Sequence, residues 1–397
     1  MRILSNYKTI QKYSTFILLR FLSFLIIGFS TFLGPKIVGL ELFGEIEYEI
    51  QLIGLSTVLL FGAHSGFGFR YFNNLNPNIS NYISTGLLHS IIIYIILSLS
   101  LHNDLMSFGI SCLVFSVILE QLFKINNQFN LAIIYKPLTS VFIVVWYLFF
   151  YFYVESVSLS TRLIINIIYF SSILVFIAFF IKKTKTGINL KIPNPKEYFN
   201  NLKSGFEPNL TTSLVLIFFF LDRYFIKEYY TESLGVYSIA FNFSLISFLL
   251  LSSIGYVTTI KIGERLKNKI DIADYIRNTI KWAYFICITL IIIVVTLIYI
   301  VSKYWFDIPF FEEISIINVL GKSFFGATAL FSPVIFYLKK ERYQWIVLLF
   351  LVLVLFLVGY FFHQKIDFIQ LQIISNLLLF LYSIYILLFT KILTHDK

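Results

Sequence analysis

LVLIFFFLDRYFIKEYYTESLGVYSIAFNF (residues 214–243) carries eight apolar residues into a side-by-side acid and base, Asp222 and Arg223, and then restarts with Gly235 and Tyr237. An apolar run that meets charge in this way reads as a membrane span nearing its end, because ionisable groups inside hydrocarbon are expensive unless water, headgroups or a partner receives them. The pair is therefore expected near the outer end of one span, with a short outer link before the next. There Gly235 permits close approach to a neighbouring helix, and Tyr237 anchors at the interface.

The rest of the chain agrees with a membrane reading. Of 397 residues, 58% are hydrophobic and 13% are charged, against about 45–50% and about 25% in a soluble domain. No polar stretch is long enough to form a water-soluble domain. The formal charge of +10 comes from Lys and Arg scattered in short gaps between apolar runs, which points to topology control rather than to a nucleic-acid face. Cys112 and Cys287 each sit inside an apolar run with no second Cys or His at ligand spacing, so neither a disulfide nor a metal site is expected. The basic N-terminus leads into an apolar run without a small-residue cleavage site, which reads as an uncleaved first span.

Crossing about 30 Å of hydrocarbon takes about 20 residues of helix, and twelve stretches qualify. They are roughly 15–34, 45–66, 82–101, 105–123, 137–154, 163–181, 204–221, 234–258, 282–302, 314–338, 344–362 and 369–390. Short basic loops stay in the cytoplasm. One set of gaps together with both tails holds 23 Lys or Arg and the other set holds 6, while Arg20 and Lys322 fall inside spans. Both termini are thus expected on the cytoplasmic side. The chain divides into an N-terminal six-helix lobe (1–181), a basic cytoplasmic linker (182–203) and a C-terminal six-helix lobe (204–397). SGFEPNL opens span seven, with Ser204 and Glu207 at capping-box spacing and Pro208 in the first turn.

The halves echo each other. LFGEIEY (42–48) and LGVYSIA (234–240) align on Gly44 and Gly235, and the same offset sets Arg70 against Lys261. FSVILEQLFK (115–124) likewise matches FSPVIFYLKK (331–340). The expected fold is an all-α polytopic membrane protein of about twelve transmembrane helices, in two six-helix lobes related by a pseudo-two-fold axis along the membrane normal. Gly44 and Gly235 are the expected hinges, one in each lobe.

LGPKIVGLELFGEIEY (33–48), LDRYFIKEYYTESLGVYSIAFNFSLIS (221–247) and FSPVIFYLKKERYQ (331–344) resemble the multidrug, oligosaccharidyl-lipid and polysaccharide (MOP) exporter superfamily, and within it the Wzx-type polysaccharide flippases. In that group an Asp-Arg pair ends span seven and Gly-x-Tyr-x-x-Ala opens span eight. The matching positions are Asp222, Arg223, Gly235, Tyr237 and Ala240. IDFIQLQIISNLLLF (366–380) departs from the group by lacking a start rich in Gly and Ala. The resemblance implies a flippase that moves undecaprenyl-diphosphate-linked oligosaccharide repeat units, of O-antigen, capsule or a similar polymer, from the inner to the outer leaflet of the bacterial cytoplasmic membrane. It implies no cofactor, coupling to a proton or sodium gradient, and a polymerase and chain-length regulator as pathway partners, with no nucleic acid. The alternative is an ion-coupled multidrug exporter of the same superfamily.

Enzyme readings find little support. GKS (321–323) looks like the tail of a phosphate-binding loop, but Ile316 stands where that loop requires Gly. A lipid-linked sugar polymerase would need a larger outer region than the gap at about 222–233. The two transport readings differ in the sign of buried charge: organic cations call for acids, a diphosphate for bases. Arg20, Lys322 and Arg70 are the substrate-binding candidates. Lys322, near the middle of span ten, is expected to face a central cleft and attract the diphosphate, whereas Arg20, about two turns in, can snorkel to the surface. Asp222, Arg223 and Glu120 are the gating, structural or ion-coupling candidates, with Glu47 and Glu49 beside them for coupling. Glu120 also sits four residues before Lys124, at ion-pair spacing on a helix.

Overall fold

In hydrocarbon every backbone N–H and C=O must be satisfied within the protein, which an apolar helix does by itself. Every regular element among the described residues is accordingly helical. The computed structural model describes residues 31–72, 78–101, 104–125, 141–148, 194–268, 270–306 and 308–395, with scattered positions between 18 and 29. Eight of the described helices are long and apolar enough to cross a membrane, so this is a multi-pass membrane protein. The chain forms two compact units: the described part of unit 1 comes from residues 49–213 and scattered positions before 31, that of unit 2 from 31–48 and 214–395.

Unit 1 contains the end of α1 (Leu40–Gly54), a 3-10 turn (Leu55–Leu60), α2 (Ala63–Phe72), α3 (Ile79–Leu101), α4 (Asp104–Ile125) and the first half of α5 (Pro195–Tyr229). The single span expected at 45–66 is therefore interrupted. Phe61 adopts φ 45° and Gly62 φ 89°, a left-handed bend that Gly accepts without a Cβ clash. α3 and α4 form an antiparallel pair; Tyr82 stacks on Phe67 at 3.9 Å, and its hydroxyl donates to the Ile118 carbonyl at 3.2 Å.

α5 starts nine residues before the expected position, at Pro195 rather than 204. The Asn194 side-chain oxygen accepts the Lys196 and Glu197 N–H groups at 3.1 and 3.4 Å, and Pro at the first helical position loses no hydrogen bond. Ser204, Glu207 and Pro208 consequently lie in the helix interior, and the capping role expected of Glu207 belongs to Asn194. Of the expected linker, 182–193 lies outside the described residues, as does most of 137–181.

Unit 2 contains a helical stretch at 31–38, most of α1, the second half of α5, α6 (Leu234–Lys267), α7 (Ala273–Tyr304), α8 (Phe311–Thr328), the short α9 (Pro333–Tyr337), α10 (Arg342–Phe362) and α11 (Phe368–His395). α8 is its central helix, packed by α6, α7 and α11. Its buried face carries Ser315, Asn318, Gly321, Lys322, Ser323 and Gly326, small or polar residues that let backbones approach where lipid tails compete with apolar side chains. α7 and α10 are apolar around most of their circumference and expose Ile292, Ile293, Phe350 and Phe361. The span expected at 314–338 is present as Phe311–Tyr337, but its helix is interrupted after Thr328, because Pro333 has no N–H to continue the ladder and the chain re-forms a turn at 329–332.

Gly44 and Gly235, the expected hinges of the two lobes, pack against each other. Both lie in unit 2, where a Cβ on Gly44 would sit 2.8 Å from the Gly235 nitrogen and one on Gly235 would sit 2.2 Å from the Leu40 carbonyl oxygen. They bring the start of α6 against α1, backbone to backbone.

Candidate functional site

Spacing along the helices brings the polar groups of unit 2 together. Tyr237 and Phe241 on α6, Asn318 and Lys322 on α8, and Gln372 and Ser375 on α11 are each three or four residues apart and so share a helix face. α5 adds Asp222 and Arg223, adjacent residues that point in different directions. Because α5 continues to Tyr229, the pair lies about two turns inside the helix rather than at its outer end. Asp222 is 1% exposed and Arg223 0%, so neighbours and not headgroups receive their charge.

A directed chain of hydrogen bonds results. The Tyr237 hydroxyl donates to Asp222 Oδ2 at 2.9 Å and Gln372 Nε2 donates to Asp222 Oδ1 at 2.8 Å. Ser375 is a further partner of the same carboxylate. Gln372 Oε1 accepts from Asn318 Nδ2 at 3.1 Å, and Asn318 Oδ1 accepts from the Lys322 ammonium. That ammonium also lies 4.5 Å from the Phe241 ring centroid, within cation–π range. Arg223 uses the same ring at 4.6 Å and donates from Nη1 to the Glu47 carbonyl at 2.5 Å. The Glu47 carboxylate interacts with Arg223 and Asn242, and Asn242 donates to Thr31 Oγ1 at 3.1 Å.

Lys322 does not project as expected. It is 1% exposed and closed into the core of unit 2, because α8 is the helix that its neighbours surround. Arg70, on α2 of unit 1, donates to Asn201 Oδ1 at 2.6 Å and lies 4.0 Å from Glu197. Glu197 in turn accepts the Asn78 N–H at 2.8 Å and the Asn81 amide at 3.1 Å, joining α5 to the start of α3. Glu120 is buried on α4, and the Lys124 side chain expected beside it lies outside the described residues, as does Arg20. Among the described residues no group of three His, Cys, Asp or Glu is placed to hold a metal ion.

Sequence reasoning singled out Asp222, Arg223 and Lys322 but missed Asn318, Gln372 and Ser375. The available signal was the pairing of an uncharged amide with Lys322 at i,i+4 in one apolar run, and the polar QLQIISN segment at the start of another.

No family model matches the chain, and no curated protein matches it. Solved structures do. An outward-facing multidrug resistance MATE family transporter of the MOP superfamily aligns with a TM-score of 0.67 at 12% identity, over 97% of this chain and 96% of that one. A MATE protein in the straight conformation aligns with a TM-score of 0.67 at 14% identity, over 97% and 96%. A MOP superfamily transporter from Pyrococcus furiosus, whose reversed binding-pocket polarity suggests a different function for it, aligns with a TM-score of 0.66 at 14% identity, over 96% of each chain. The likeness shows the fold: this chain has the architecture of the MATE transporters of the MOP superfamily.

Proposed function

We propose that this chain is a membrane transporter that exports an amphipathic cargo, with no chemical step of its own. The observation that carries this reading is the fold likeness to transporters over 97% of the chain. Coupling to a proton or sodium gradient and residence in a bacterial cytoplasmic membrane belong to the same proposal.

The solved neighbours support multidrug-type export more directly, since by name they are MATE transporters. The second reading, translocation of polyprenyl-diphosphate-linked oligosaccharide units, draws its support from the resemblance at 33–48, 221–247 and 331–344. Asp222, Arg223 and Tyr237, which carry that resemblance, are buried in unit 2. Their likeness therefore supports a shared way of building the unit.

One deletion strain separates the readings. Under multidrug export, cells without the protein accumulate cationic dye while their surface polysaccharide is unchanged. Under glycan translocation, lipid-linked oligosaccharide is stranded on the cytoplasmic leaflet and dye accumulation stays at its normal level. A strain unchanged in both, with purified protein that moves neither cargo in vesicles, overturns the export reading.

A further inference from the structure

We propose that the Lys322 ammonium is a tethered counter-cation for Asp222. In this arrangement unit 2 supplies its own cation to an oxygen-lined site, holds no exchangeable metal ion there, and becomes a monovalent-cation site once the amine is removed. The inference stands apart from the cargo and concerns only how this core balances its charge.

Charge balance is the first support. The buried charged groups meeting here are Asp222, Glu47, Arg223 and Lys322, two acids and two bases. Taking a charge out of water costs several kcal/mol unless another charge and good hydrogen bonds compensate it. Arg223 faces Glu47 through the α1 backbone and carboxylate. That leaves Lys322 as the cation acting on Asp222, and Asp222 as the anion acting on Lys322, with Arg223 opposing the lysine's charge. Without the amine the three remaining groups carry a net negative charge in a sealed space.

Donor chemistry is the second. Around the pair stand Asp222 Oδ1 and Oδ2, Asn318 Oδ1, Gln372 Oε1 and the hydroxyls of Tyr237 and Ser375, drawn from α5, α6, α8 and α11. Carboxylate, carboxamide and hydroxyl oxygens are the ligands of hard cations. An ammonium, with three donors and no acceptor, fills the same role on a covalent arm.

Direction is the third. Each carboxamide between the two charges turns its oxygen toward the lysine side and its NH2 toward the carboxylate. This alignment favours a cation at one end and an anion at the other. Removing the amine leaves Asn318 Oδ1 without its donor beside an uncompensated carboxylate, and a small cation satisfies both.

The test uses the full-length protein in detergent micelles, with thermal unfolding followed at matched ionic strength in Na+, Li+ or N-methyl-D-glucamine. Wild type is expected to unfold at one temperature in all three media. Lys322→Ala is expected to unfold lower in N-methyl-D-glucamine and to regain about 2–4 °C in Na+ or Li+, the shift that selective binding to the folded state produces in a chain of this size. Asp222→Asn combined with Lys322→Met removes both charges and should unfold near wild type with no cation response. If Lys322→Ala cannot be purified while the double variant can, the uncompensated carboxylate is what fails, which supports the pairing. The proposal is overturned if wild type gains stability from Na+ and Asp222→Asn abolishes the gain. It is also overturned if Lys322→Ala folds without any cation response, or if the double variant is as unstable as the single one.

Discussion

Arg70 in unit 1 and Arg223 in unit 2 are both engaged by an acid and by a neighbouring oxygen, yet the two corners handle charge differently. Around Arg70 the side chains keep contact with solvent, 13% exposed for the arginine and 20% for Glu197, and the ion pair is loose at 4.0 Å. Around Arg223 almost nothing is exposed: Asp222 and Lys322 are at 1%, Glu47 is at 7%, and two aromatic rings line the guanidinium. A charge with access to water needs little from its partner. A sealed charge depends on its partners completely, so removing one member leaves the rest uncompensated. Partner dependence should therefore be steep in unit 2 and shallow in unit 1.

The largest effect is expected from Arg223→Ala. It removes the bond to the Glu47 carbonyl and the charge facing the Glu47 carboxylate. The cost is expected at about 3–5 kcal/mol, seen as a sharp drop in folded yield and in denaturant midpoint. A variant that folds like wild type would erase the contrast between the units.

Gly235→Ala comes next and separates backbone packing from charge. Its new Cβ would meet the Leu40 carbonyl oxygen at 2.2 Å, where only backbone movement can make room. A loss of about 1–3 kcal/mol is expected. Gly54→Ala, whose Cβ meets nothing within 4 Å, serves as the control and should lose no stability. Equal behaviour of the two variants in thermal unfolding would show that the α1–α6 contact is looser than its geometry.

The smallest effect belongs to Arg70→Ala. The pair with Glu197 is partly exposed, so the expected cost is below about 1 kcal/mol and shrinks as salt screens it. Thermal unfolding at low and high ionic strength checks this. A loss as large as that of Arg223→Ala would show that unit 1 relies on compensation as strictly as unit 2.

Much of the fold was legible because helix formation in hydrocarbon is a local matter. α7 and α10 can be read directly from their continuous apolar runs, since the faces they turn outward need only match lipid. The stretch Phe311–Tyr337, which contains α8, was also found as a span, although 72% of its apolar window is buried against 22% for α7, a difference that hydropathy does not report. The breaks at 55–62 and 329–332 were missed because their apolar residues prolong the hydropathy signal through a change in backbone geometry. Asp222 and Arg223 were found, but their depth was misjudged: the helix end was inferred from the charge itself, whereas the helix runs on to Tyr229.

By itself, then, the sequence determined an all-helical membrane protein, the α5–α6 region with its Asp-Arg and Gly-x-Tyr elements, and the presence of Lys322 inside a span. Tertiary structure alone decided that Asp222, Gln372, Asn318 and Lys322 form one hydrogen-bonded chain and that Gly44 meets Gly235. The reason is rotational. A helix that is apolar on nearly every side carries no periodic signal for which face turns inward, so the meeting of polar groups from separate helices is set by how the helices are turned and packed against one another.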